Sequence, residues 1–215
     1  MIIVEQSVEL LDTNKQGEKL IELAARNCYK SEDKITVDSH VDMIKRLKKF
    51  GHSAMFEFSW ICIRVICDRA VSHQLVRHRH FSFAQESQHY IRYKGHLQFV
   101  APSWVKLDKG LYGKRLDKHM AFVVKNHADW VWLTSMFDCE ERYIDLTNNG
   151  GKAQEARALL PNSAKTEIVM AGNGRSWLEF FDKRLGNENT KEMSKLAEQI
   201  FDCMLMHFPT LFLMK

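Results

Sequence analysis

Hydrophobic positions recur along the chain with two periods. Ile2 to Val4 is a short β-prone run. Between Glu18 and Tyr29, the residues Leu20, Ile21, Ala24, Ala25 and Cys28 recur every three or four positions, which predicts an amphipathic helix. A second helix is expected from Asp38 or Ser39, either of which can cap it, with Val41, Ile44 and Leu47 inward and a stop at Gly51. From Phe56 to Cys67 the chain is dense in aromatic and β-branched residues, the strongest strand signal in the sequence.

Asp68 or Ser72 then opens a helix through Ala70, Val71, Leu75 and Val76, which delivers Arg77-His78-Arg79-His80 at its end. A long helix is expected over Gly113 to Thr147, with Leu116, Met120, Val123, His127, Val131, Thr134, Phe137, Glu141 and Ile144 as its inward stripe and Asn148-Asn149-Gly150-Gly151 as its stop. A short helix over Ala153 to Leu160 precedes Pro161. A strand over Thr166 to Met170, a helix over Ser176 to Arg184 and a last helix from Thr190 to His207 complete the reading. Helices outnumber strands and show no regular β-α alternation. The expected fold is therefore α+β, with a small central sheet flanked by helices in one domain over residues 1–215.

Composition agrees with a folded chain. It is 45% hydrophobic and 27% charged, with 3 prolines and 10 glycines in 215 residues, which excludes a disordered or collagenous protein. The net charge of +4 suits an anionic small molecule or a nucleic acid and does not choose between them. Five cysteines, odd in number and never spaced C-x-x-C, argue against a disulfide framework and a zinc ribbon. An acid at Glu5 is too early for a signal peptide, and no apolar run approaches the ~20 residues that span a bilayer. A cytoplasmic protein without a membrane partner is expected.

Candidate chemistry concentrates between His73 and His96. His73, Gln74, Arg77, His78, Arg79, His80, Ser82, Gln85, Glu86, Ser87, Gln88, His89 and Arg92 alternate with Leu75, Val76, Phe81, Phe83 and Tyr90. A solvated basic turn would not carry so many apolar partners, so this segment reads as a wall that is part packed and part cleft lining. Two arginines flanking a histidine offer planar forks that grip phosphate bidentately. The four histidines invite a metal reading, but neighbouring arginines make a divalent cation costly there, and no metal is expected. Basic residues among aromatics also suit a nucleic acid, though no recognition motif accompanies them. No cysteine lies near the cluster, and Ser87 lacks the G-x-S-x-G elbow of a serine nucleophile. A second constellation comprises Arg157, Asn173-Gly174-Arg175-Ser176 and Arg184; exposed backbone N–H groups at the start of its helix favour a phosphate or a ring carbonyl, but on this segment alone an ordinary capped helix with surface arginines is the better reading.

Together these residues resemble the flavin-dependent thymidylate synthases. The signature of that family, R-H-R followed by seven residues and Ser, reads here as Arg77-His78-Arg79, then His80 to Glu86, then Ser87. The resemblance extends to Ala24 through Tyr29, Gly51 through Glu57, Ala156 through Asn162, Lys165-Thr166-Glu167, Asn173 through Ser176, and Arg184, in the family's order over nearly the whole chain. It implies a homotetramer with shared active sites. It also implies FAD as cofactor, NADPH and methylenetetrahydrofolate as co-substrates, and transfer of a one-carbon unit to C5 of dUMP. No protein cysteine attacks the pyrimidine in such a scheme, since the redox chemistry belongs to the flavin.

Carried over by position, FAD would be held by Arg77, His78 and Arg79, with Asn173, Gly174 and Arg175 on its other side and His52, Ala54, Gln85 and Glu179 beside it. dUMP would be gripped by Gln74, Leu75, Val76, Arg77, Gln85, Glu86, Ser87, Gln88, His89, Arg157 and Arg184. Of these, Arg184 is the expected catalytic residue, its charge favouring ionisation at N3 and enriching C5. His52 would stand near the flavin and the folate entrance. Five positions depart from the family pattern. His89 stands where an arginine is usual, and histidine is shorter and only partly charged near neutral pH. This predicts weaker, more pH-dependent nucleotide binding or a somewhat different pyrimidine, and keeps a related pyrimidine-nucleotide hydroxymethylase as the alternative. Ala54 replaces a hydroxyl residue, Glu179 replaces an amide, and Asn189-Thr190 replaces Ala-Gln.

Overall fold

The computed structural model describes residues 1–113, 124, 126–186 and 188–213. In chain order its elements begin with β1 (Ile2–Val4), β2 (Ser7–Thr13), α1 (Gly17–Asn27), α2 (Ser39–Lys49), a 3₁₀ turn (Ser53–Phe58), β3 (Trp60–Asp68) and α3 (Arg69–Leu75). There follow β4 (Ser82–Gln85), β5 (Gln98–Val100), β6 (Gly110–Leu111), α4 (His127–Asn148), α5 (Ala153–Ala156) with a 3₁₀ turn (Arg157–Leu159), and β7 (Lys165–Asn173). The chain ends with α6 (Gly174–Arg184), α7 (Lys191–Leu205) and α8 (Pro209–Phe212). The α+β expectation holds, with the strands divided between a three-stranded and a four-stranded sheet.

The described residues gather into two compact units, each made of three chain segments. The first comprises Met1–Ser7, Ile66–Leu75 and the described part of Gln85–Ile168. Its sheet has the order β5-β1-β6, with β1 parallel to β5 and antiparallel to β6. Met1, Ile3, Leu97, Phe99, Trp132, Leu133, Met136, Phe137 and Tyr143 form its core. The face that α4 buries differs from the expected stripe. Val131, His127 and Glu141 are exposed, and Asp129, Trp132, Leu133, Met136, Phe137, Glu140, Tyr143 and Thr147 turn inward. That rotation buries the larger Trp132 and Tyr143 surfaces. It also lets two acids work as backbone acceptors: Asp129 from the Lys106 N–H at 2.9 Å, and Glu140 from the Leu97 N–H at 2.8 Å. Asn126, whose side chain accepts from the Asp129 N–H, caps α4, and Gly113 is not helical. Of the expected long helix, residues 114–123 and 125, which include Leu116, Met120 and Val123, lie outside the described residues.

The second unit comprises Val8–Val65, Val76–Ala84 and the described part of 169–215. It holds most of each strand of the four-stranded sheet, ordered β2-β3-β7-β4. Ile61, Ile63 and Val65 alternate inward along β3, as a half-buried strand requires. The strand begins later than the apolar run suggests. Phe56 to Phe58 lie in the 3₁₀ turn because the Ser59 hydroxyl and N–H both donate to the Phe56 carbonyl, which closes the chain on itself. Gly51 ends α2 at a φ of 70°, a left-handed conformation in which the His52 N–H reaches back to the Leu47 carbonyl at 2.9 Å. Trp177, Phe180 and Phe181 of α6 are buried, as are Leu196, Ile200 and Phe212, and the Phe181 and Phe212 rings stand edge to face 5.5 Å apart.

Candidate active site

The residues singled out from sequence fall into two groups, one in each unit. In the second unit, α3's successor turn delivers the basic run as expected. Arg77, Arg79 and His80 are exposed, and His78 is half-buried against the Phe180 ring, with centroids 4.9 Å apart. Arg184, in the last turn of α6, donates from Nε to His78 Nε2 at 2.9 Å and from a terminal nitrogen to Asn189 Oδ1 at 3.0 Å. An imidazole that accepts at Nε2 carries its proton on Nδ1. Burial, then the charges of Arg184 and Lys183, push the His78 pKa down to about 4. His78 is therefore neutral at neutral pH, and burial also lowers the Arg184 pKa.

Asn173 caps α6, accepting from both the Ser176 N–H at 2.9 Å and its hydroxyl at 3.0 Å. The Gly174 N–H donates to the Ser59 carbonyl at 3.1 Å. Two of the N–H groups expected to meet a phosphate are thus satisfied within the protein. Only a glycine fits at this crossing: a Cβ on Gly174 would lie 2.1 Å from Ser59 Oγ and 2.9 Å from the Phe56 carbonyl oxygen. The charge on Glu179 has a partner, since its carboxylate stands 3.6 Å from Arg175 Nε while Glu57 accepts from the other end of the same guanidinium at 2.8 Å. His52 and Ala54 are exposed, with the His52 ring 6.2 Å from that of Phe50.

In the first unit, α3 and the ends of β4 and β7 bring Gln85 and Glu86 to different neighbours. Gln85 Nε2 donates to Ser72 Oγ and to Thr166 Oγ1, both at 3.1 Å. Glu86 instead pairs with Lys165 at 3.2 Å, and Lys165 also pairs with Glu167. Glu86 and Lys165 border a cavity of about 250 Å³ that Tyr93, His96, Leu97 and Phe99 also line. Burial and the adjacent Glu86 carboxylate hold the Tyr93 phenol above its ordinary pKa. Ser87 Oγ accepts from the His89 N–H at 3.3 Å, and the His89 ring stands edge-on to Tyr90. Gln88 carries a buried side-chain nitrogen with no hydrogen-bond partner among the described residues. His89 and Arg157 are exposed, Val76 of the second unit is at the surface, and Gln74 is half-buried. Leu75 is fully buried, so its side chain belongs to the core. Among the described residues no three His, Cys, Asp or Glu side chains stand together as a metal site would require.

Sequence reasoning missed Ser72, Thr166 and Lys165 as site-forming residues. The alternation of β7, with Thr166 inward and Lys165 and Glu167 flanking it, was the available signal.

Over residues 9–210 the chain matches the family model described as thymidylate synthase complementing protein. It is 31% identical over 209 residues to a flavin-dependent thymidylate synthase from Corynebacterium glutamicum, covering 93% of this chain and 80% of the relative. It is 29% identical over 213 residues to a flavin-dependent thymidylate synthase from Geobacter sulfurreducens, covering 95% and 84%. Among solved structures it is similar to a UMP/dUMP methylase from Streptomyces cacaoi bound with 5-Br dUMP, with a TM-score of 0.79, 21% identity and coverage of 99% and 95%. Thymidylate synthase X from Helicobacter pylori with FAD and dUMP aligns with a TM-score of 0.75 and 21% identity, covering 97% of each chain. At that identity the two structures speak for the fold.

Proposed function

This chain belongs to the family of thymidylate synthase complementing proteins, and from that premise we propose that it is a flavin-dependent thymidylate synthase converting dUMP to dTMP. The observation that carries the reading is the ordered set of blocks around Arg77-His78-Arg79 and Ser87, together with about 30% identity to enzymes of that name over nine-tenths of the chain. Methylenetetrahydrofolate is the one-carbon donor and NADPH the source of reducing equivalents in this scheme. Residues 1–215 act as one functional domain, a view supported by the three separated segments that build each compact unit.

The donor set of the second unit suits FAD. Arg77 and Arg79 are exposed and have no ion pair among the described residues, as a diphosphate-binding pair would require before its ligand arrives. When bound, FAD supplies the hydride chemistry that no side chain here can supply. Arg184 keeps a positive charge beside neutral His78, and the hydrogen bonds from its Nε to His78 and from a terminal nitrogen to Asn189 hold the guanidinium in place. That fixed charge polarises the pyrimidine and favours loss of its N3 proton. Ser87, His89 and Arg157 bind the nucleotide. The protein assembles as a homotetramer, a state supported by exposed Tyr29, Val37, Phe50 and Trp60 in one unit and Tyr90, Trp104 and Leu111 in the other. Five free cysteines suit a reducing cytoplasm, and among the described residues no helix is long and apolar enough to cross a membrane.

A second reading, a related enzyme that modifies another pyrimidine nucleotide, is favoured by His89 alone. One experiment tests both. Purified protein is incubated with FAD, NADPH, isotopically labelled methylenetetrahydrofolate and, in separate reactions, dUMP or another pyrimidine nucleotide, and the nucleotides are resolved by mass spectrometry. A labelled methyl group on dUMP supports the synthase. A labelled hydroxymethyl group, or turnover of a different pyrimidine nucleotide only, overturns it in favour of the second reading.

A further inference from the structure

A carboxamide can face either way in a pocket, because its oxygen and nitrogen differ little in size; its neighbours' protons decide. For Gln85 the deciding neighbour is Ser72. The Ser72 hydroxyl donates to the Arg69 carbonyl at 2.8 Å, so its single proton is committed and its lone pairs face Gln85. Gln85 must therefore donate to it, and the second hydrogen on Nε2 reaches Thr166 Oγ1. Ser72 and Thr166 are both buried, so water cannot substitute for either bond. A flipped amide would set two acceptors against each other at Ser72. With both N–H groups used, Oε1 is the polar atom left over, and among the described residues nothing pairs with it.

The neighbouring residue does not share this arrangement. Successive side chains point to opposite faces of a strand, and Glu86 turns to Lys165 on β7 while its own N–H donates to the Glu167 carbonyl at 2.9 Å. Gln85 thus keeps an acceptor to offer where Glu86 has given its carboxylate to a lysine. An amide oxygen accepts a hydrogen bond without adding a negative charge beside an anionic nucleotide.

We propose that Ser72 and Thr166 are positioning residues that lock the Gln85 carboxamide with Oε1 outward, so that this subsite selects a hydrogen-bond donor on the nucleotide, either a ribose hydroxyl or the pyrimidine N3–H. The inference rests on the functional reading above, since it takes the bound molecule to be dUMP.

The test measures, by calorimetry on the FAD-loaded protein, the binding of dUMP, of its 3′-deoxy analogue and of its N3-methyl analogue. In the unmodified protein, the analogue lacking the donor that meets Oε1 binds roughly two- to tenfold more weakly, the cost of one hydrogen bond. In Thr166→Val that penalty shrinks toward none and KM for dUMP rises more than kcat falls, while Thr166→Ser restores both. A purely structural role for Thr166 would weaken all three nucleotides alike and leave the penalty intact, which overturns the inference. Ser72→Ala carries the same expectation if Thr166→Val does not fold. Equal affinity of the unmodified protein for all three nucleotides also overturns it. Failure of dUMP itself to bind the FAD-loaded protein overturns the functional reading and this inference with it.

Discussion

The charge state of His78 decides how the Arg184 corner works, and it can be titrated directly. Burial lowers the ring's pKa first, and the positive charges of Arg184 and Lys183 lower it further, to about 4. A free imidazole titrates near ~6.5, so at pH 6 it would be about three-quarters protonated, whereas His78 would be about 1% protonated. The folded pKa lies below the unfolded one. Above pH ~6.5 the ring is neutral in both states and stability is unaffected; as pH falls from ~6.5 toward ~4, the unfolded chain takes up a proton that the native protein resists, and stability is lost. The ring is partly exposed, so solvent screening limits that loss to roughly 1–2 kcal/mol. Imidazole Cε1–H resonances followed by NMR from pH 8 to 5 provide the assay, with His78 assigned by its absence in His78→Gln. The expected His78 shift is flat over this range. In Arg184→Gln the midpoint rises but stays below that of a free histidine, because burial, the larger cause, remains. A His78 midpoint near ~6.5 in the unmodified protein would refute both the neutral ring and the Nε2 acceptor role.

Three other substitutions follow from the packing and the charges. Gly174→Ala places a Cβ 2.1 Å from Ser59 Oγ and 2.9 Å from the Phe56 carbonyl oxygen, and is expected to destabilise the protein by about 2 kcal/mol in urea unfolding; an unchanged midpoint would contradict the close crossing. Lys165→Met leaves Glu86, whose side chain is 12% exposed, without its cation, at a cost of about 3 kcal/mol, and Glu86→Gln in the same chain recovers most of it; independent, additive losses would show that the pair is not coupled. His89→Arg restores the longer, bidentate side chain usual at this position in the family, so dUMP binds more tightly; an unchanged affinity would remove His89 from the nucleotide site.

Much of the secondary structure was legible because it depends on near neighbours. The strand at Ile2–Val4, the helices α1, α2, α6 and α7 and the core of β7 follow from period and capping within a dozen residues. The strands β2, β4, β5 and β6 are short or half-exposed, with no alternation strong enough to read. The inward face of α4 is not legible from period alone, because distant backbone donors, Lys106 and Leu97, bond to Asp129 and Glu140 and turn that face inward. The site divides in the same way. The basic run at Arg77 to His80 and the turn at Asn173 are local and were visible. The bond from Arg184 to His78 spans 106 residues and the pair of Lys165 with Glu86 spans 79, and only the folded chain brings such partners together. The charge that Glu179 brings in place of an amide faces Arg175 one helical turn before it.

The account stands most directly on flavin and nucleotide binding by the same protein. The visible absorption spectrum of the purified protein, recorded before and after adding FAD and again after dUMP, tests both. The predicted result is a bound-flavin spectrum that shifts on adding dUMP. A folded protein that leaves FAD's spectrum unchanged from the free cofactor would contradict the account, showing a family scaffold without its chemistry.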